Sequence, residues 1–112
     1  MFKSAAVLAA ATASHFAVAP EASAKSRQVC GWYVIAGCFG DRQSAGDMAS
    51  NGWGAVIDTD DYDGFQPGHF CVVSGPQPRA SAVNDRRNAI ADGVSADAYI
   101  KRACTDAKNV GD

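Results

Sequence analysis

Two copies of a strand–glycine–helix unit constrain this chain more than any other feature. Trp32-Tyr33-Val34-Ile35-Ala36-Gly37-Cys38-Phe39 leads into Asp41-Arg42-Gln43-Ser44-Ala45, and Phe70-Cys71-Val72-Val73-Ser74-Gly75-Pro76 leads into Arg79-Ala80-Ser81-Ala82. A glycine closes each apolar strand and an Arg-x-x-Ala helix start follows it. Two such halves form one split sheet carrying two helices, whereas a solenoid needs at least three stacked repeats.

The ends of the 112-residue sequence limit how much of it belongs to that sheet. Met1-Phe2-Lys3 gives a short positive start, Ala5 to Ala11 an apolar stretch, and Ala22-Ser23-Ala24 a small-x-small cleavage site. That order is the order of a secretory signal peptide over residues 1–24. A cut after Ala17-Val18-Ala19 is disfavoured because Pro20 would follow it. The apolar run is too short and too rich in alanine for a membrane span. Residues 25–29 read as a polar leader, 30–104 as one domain, and 105–112 as a flexible tail.

Charge excludes one class of partner. The formal net charge is −2, and no basic patch with interleaved aromatics marks a nucleic-acid surface. The only glutamate is Glu21, inside the signal, so carboxylate chemistry in the exported part would fall to aspartate.

Cys30, Cys38, Cys71 and Cys104 all follow the cleavage site. An even number of cysteines in a small exported domain implies two disulfides, and four cysteines allow three pairings. A zinc site lacks its usual spacing, because no Cys-x-x-Cys occurs and His69 is the only histidine after the signal. No metal or cofactor is expected.

Pattern and breakers order the rest. A first strand spans 31–39. Asp41 is placed to cap a helix with Ala45, Met48 and Ala49 on its apolar stripe, and Asn51-Gly52 ends it. A second strand covers 54–58 and an acidic loop Thr59–Gly68. A third strand runs over 69–74, a helix over 79–92 with Val83, Ala89 and Ile90 toward the core, and a fourth strand over 97–102. The fold class is α+β, a ferredoxin-like β-α-β-β-α-β with a four-stranded antiparallel sheet and two helices on one face. In that arrangement strands one and three are central and strand four lies beside strand one. The expected bridges are then Cys30–Cys104 and Cys38–Cys71, the second conditional on strand parity placing both side chains on one face.

The motifs resemble those of SPOR (sporulation-related repeat) domains. Tyr33-Val34-Ile35-Ala36-Gly37-Cys38-Phe39 with Asp41, Arg42 and Ala45 is similar to the family's opening motif. Val72-Val73-Ser74-Gly75-Pro76 with Arg79 and Ala82 is similar to the second, and Asp97-Ala98-Tyr99-Ile100-Lys101 to the closing strand. The resemblance implies a non-enzymatic peptidoglycan-binding module of the bacterial cell envelope, acting in cell division. It would hold glycan strands stripped of stem peptides on the sheet face that the helices leave open. With Val34 and Ala36 toward the helices, the glycan-binding set is Tyr33, Ile35 and Val73, with Cys71 beside them, extended by Tyr99 and Lys101 or by Ala98 and Ile100. Ile35 stands where the family often has glutamine, and strand three carries Cys71 and Val73 where polar or basic residues are common. So apolar a face suits sugar rings, a protein partner or a flanking loop. The implied setting is the periplasm, with a monomeric domain, glycan strands as partner and envelope proteins as the alternative.

Sharper chemistry has weaker support. Asp58, Asp60, Asp61 and Asp63 before Gly64 suggest calcium, but the EF-hand register puts Thr59 at the first ligand position and Phe70 at the last. His69 and Cys71 share a strand face, yet an oxidised cysteine is not a nucleophile and no third residue orients the pair. No two aspartates are placed as a glycosidase pair. Trp32 and Trp53 read as packing residues ahead of sugar-stacking ones, and Arg86-Arg87 as a solvated helix face.

Overall fold

The computed structural model describes residues 27–110. The signal peptide expected over 1–24 and the start of the leader lie outside the described residues. In chain order the elements are β1 (Gln28–Phe39), α1 (Arg42–Ala49), β2 (Ala55–Asp58), β3 (Tyr62–Asp63), β4 (Phe70–Gln77), α2 (Arg79–Ala91) and β5 (Tyr99–Asp106). Single 3-10 turns occupy Thr59–Asp61 and Ala107–Asn109. Every strand pairing is antiparallel, in the order β2-β4-β1-β5-β3.

The sheet therefore has five strands, not the four expected. The additional strand is two residues long, too short to leave any alternation in the sequence. The ends also differ from expectation. β1 begins at Gln28, within the expected leader, and β5 continues to Asp106, into the expected flexible tail. Thr105 is buried there, donating to the carbonyl of Asp61 and accepting from Asn109 Nδ2 at 2.9 Å.

β2 and β3 lie at opposite edges of the sheet yet are joined by one short turn. Asp58 is level with Phe39 at one end of β1, and Tyr62 is level with Val29 at the other. In a flat sheet the four strand spacings alone would separate these edges by ~19 Å. The four Cα steps from Asp58 to Tyr62 reach ~15 Å at most. The sheet must coil until opposite corners meet, and so it has a concave and a convex face.

Both helices pack on the convex face. Val34 of β1 packs there with Ala82 and Ala89 of α2 and with Ala98, while Ala36 and Val72 pack with Ala45, Met48 and Ala49 of α1. The stripe expected on α1 is thus the one used. Ala82 is the buried anchor of α2 that the pattern did not single out. Asp41 caps α1, its carboxylate accepting from Ser44 N at 2.8 Å and Ser44 Oγ at 3.0 Å. Trp53 packs between the two helix clusters. Arg86 is more than a solvated residue, because its Nε donates to the Ala98 carbonyl at 2.8 Å and ties α2 to the approach to β5.

The concave face is filled as well. Tyr33, Ile35, Tyr62, Cys71, Val73 and Ala103 form a second core, with Ile57 and Phe65 against it. The rings of Tyr33, Tyr62 and Phe65 meet edge to face, with centroids 5.7–5.9 Å apart. Such pairs favour a T-shaped contact because a ring edge is electropositive and a ring face electronegative.

The disulfides are Cys30–Cys104 and Cys38–Cys71, the pairing expected from the topology, and no described cysteine is free. Two disulfides accord with an oxidising, secreted compartment. No helix among the described residues is long and apolar enough to cross a membrane.

Candidate functional site

The expected glycan face divides in two. Tyr33, Ile35 and Val73 point away from the helices as expected, but they are at most 4% exposed and present no surface to a ligand. They lie under the strap of residues 59–68, which carries Tyr62 and Phe65 across the concave face. Apolar area this large is removed from water when any segment of the chain can reach it. Tyr99 and Lys101 remain accessible. Tyr99 is 46% exposed and is the exposed large hydrophobic residue among those described, while Lys101 is half-buried. Ala98 and Ile100, the alternate set, face the helices.

Tyr99 and Lys101 line a cleft of about 210 Å³ at the end of the coiled sheet where β5 begins. Its other walls are Phe65 and Gln66 of the strap, Thr59, His69, and the Cys38–Cys71 bridge. Strand alternation sets Tyr99 and Lys101 on this side, opposite Ile35 and Tyr33 respectively on β1.

Thr59 fixes the floor. Its backbone N donates to the His69 carbonyl at 2.9 Å, and its hydroxyl bonds both the carbonyl and the N–H of His69 at 3.0–3.1 Å. His69 Nδ1 lies 3.1 Å from the Pro67 carbonyl, which holds the ring at the strap's return. The aspartates beside it serve the turn. Asp58 accepts from Asp60 N at 3.0 Å and Asp60 from Gly68 N at 2.8 Å. Among the described residues no group of three His, Cys, Asp or Glu is placed to hold a metal ion.

Tyr33 is the anomaly beneath the cleft. Its hydroxyl is buried and has no hydrogen-bond partner among the described residues. Burial pushes its pKa up to about 12, and Tyr62 adds a smaller push in the same direction. Burial also raises Tyr62, with the Asp61 carboxylate adding to it.

Chemically the cleft joins a flat aromatic ring to an ammonium, an imidazole and an amide, with no carboxylate on its walls. It has the composition of a small polar binding site. Cys71 is engaged in its disulfide, so it supplies neither a nucleophile nor a metal ligand beside His69. Phe65, Gln66, Thr59 and Cys38 were not foreseen as cleft residues. The available signal was the pair of aromatics, Tyr62 and Phe65, in an otherwise polar loop, together with the apolar face that needed a cover.

Fold and cleft together define a small, disulfide-braced α+β domain with one concave core closed by its own chain. No family model, curated protein or solved structure matches it.

Proposed function

We propose that this chain is an exported, non-enzymatic binding module of the bacterial cell envelope that holds peptidoglycan glycan through the Tyr99–Lys101 cleft. The supporting observation is Tyr99, an exposed aromatic ring beside Lys101, Gln66 and His69. A ring face and nearby donors are what a pyranose needs, since one sugar face is apolar and its rim carries hydroxyls. The three SPOR-like motifs support the same reading. So does a core that we read as ferredoxin-like, with Tyr62–Asp63 added at its edge. The disulfides suit the periplasm.

Burial of Tyr33, Ile35 and Val73 shrinks this proposed site from a whole sheet face to one cleft. The same burial favours a second reading, an envelope protein-interaction module that keeps the fold without glycan binding.

Co-sedimentation with intact and amidase-treated sacculi distinguishes the two. The glycan reading expects greater retention on amidase-treated sacculi and at least a tenfold loss for Tyr99→Ala. Retention no higher than that of an albumin control would reject it.

A further inference from the structure

A second groove, of about 560 Å³, lies at the opposite end of the sheet. Gly31 and Pro76 line it, packed so closely that a Cβ on Gly31 would fall 2.6 Å from the Pro76 Cβ. Across it Gln77 of β4, Trp32 of β1 and Arg102 of β5 form one cross-strand row. Arg79 closes the row from above, its guanidinium carbon 5.1 Å from the centre of a Trp32 ring.

The charge of this groove is one-sided. Both charged side chains that line it are arginines, and no carboxylate does. The chain as a whole is acidic, with a formal net charge of −2, but the strap carboxylate on this sheet face, Asp63 opposite Cys104, accepts from Gln28 Nε2 at 3.5 Å and does not line the groove. Two arginines therefore line one hollow that no carboxylate lines. A guanidinium resting on an indole keeps its N–H edges free and loses less freedom on binding than an unsupported one. Those edges match a planar oxyanion with two parallel hydrogen bonds.

We propose that Arg79 and Arg102, with Trp32 between them, form an oxyanion-binding site for a small ligand bearing a carboxylate or phosphate group. The site is independent of the glycan reading, since it shares no residue with the Tyr99–Lys101 cleft. Arg79 supplies the stacked, pre-positioned donors and Arg102 the second charge. Gln77 offers an amide donor to the same row, although its Nε2 also bonds the Ser74 carbonyl at 3.2 Å.

The test uses the protein with both disulfides intact and its two tryptophan indole N–H signals in a 1H–15N spectrum. Trp53, packed between the helices, is the internal reference. Malonate, inorganic phosphate and neutral malonamide are titrated to about 10 mM, enough to load a site of millimolar affinity. Malonate or phosphate should move the Trp32 signal saturably, while malonamide leaves it in place. Arg79→Gln with Arg102→Gln should weaken the response at least tenfold with the Trp53 signal unmoved. A response to malonate alone assigns a carboxylate ligand, and one to phosphate alone a phosphate ligand. Overturning results would be no saturable Trp32 shift with either anion, equal shifts with malonamide, or an undiminished response in the double variant.

Discussion

Cys38 faces Cys71 because β1 carries one more residue than β4 between the Ile35–Val73 and Gly37–Val72 pairs. Ile35 points into the concave core, while Ala36 and Gly37 both lie on the helix side, where a Cβ on Gly37 would meet Met48 Sδ at 3.1 Å. The alternation resumes one residue late, so Cys38 returns to the face of Cys71. Strict alternation would have put it with Val34, on the opposite face. A β-bulge re-aims a side chain in this way at the cost of one unpaired position.

The two bridges should differ modestly in their contribution to stability. In the chain-entropy model, a loop closed over 74 residues contributes about 4.5 kcal/mol and one over 33 residues about 4 kcal/mol. Replacing Cys30 and Cys104 by alanine should therefore lower the unfolding free energy slightly more than replacing Cys38 and Cys71. Urea denaturation of the two double variants measures the order.

Tyr33→Phe should leave stability unchanged or raise it, by up to about 1 kcal/mol, because it removes a buried hydroxyl without a partner. The alkaline response should change too. Tyr33 titrates near 10 when unfolded and at about 12 when folded, so between these values the unfolded chain holds fewer protons. Its contribution is complete below pH 10 and is lost as pH rises through 12. Urea midpoints at pH 8 and pH 11 should fall less in Tyr33→Phe than in the parent, and an equal fall would contradict this assignment.

Gly64 seats the strap against β5. Its φ is +113°, and a Cβ there would lie 2.8 Å from the backbone oxygen of Arg102. Gly64→Ala should cost about 2–3 kcal/mol, combining backbone strain with a clash that no side-chain rotation relieves. Gly68 also has positive φ, +88°, but nothing lies within 4 Å of its Cβ position. Gly68→Ala should cost only the left-handed strain, about 1 kcal/mol. Paired thermal melts test the difference.

Thr59→Val should cost about 1–3 kcal/mol, since it removes the hydroxyl that accepts from His69 N–H in a part-buried setting. Hydrogen exchange should quicken at His69 in this variant. Unchanged protection there would mean that Thr59 does not fix the floor of the cleft.

Local pattern carried much of this fold. The alternation of Val34 and Ala36 against Tyr33 and Ile35 separated the two sheet faces, and the helix contacts decided that Val34 and Ala36 face the helices. Asp41 marked the start of α1, and the four cysteines followed from strand order once the two halves were joined in one sheet. The candidate site was only partly legible. Parity left two sets on the last strand, Tyr99 with Lys101 or Ala98 with Ile100, and the register of β5 against β1 decided for the first.

The sequence by itself determined the α+β class, the apolar stripe of α1 and two disulfides, because each rests on short-range periodicity or on a topology with few alternatives. Only the tertiary structure decided that the sheet coils, that residues 59–68 strap its concave face, and that a bulge brings Cys38 to Cys71. These depend on contacts distant in sequence. β3 pairs with β5 through two residues some forty positions away, and so short a strand leaves no period to read. The repeated strand–glycine–helix unit built the sheet, and the ten-residue strap 59–68 between β2 and β4 closed its open face.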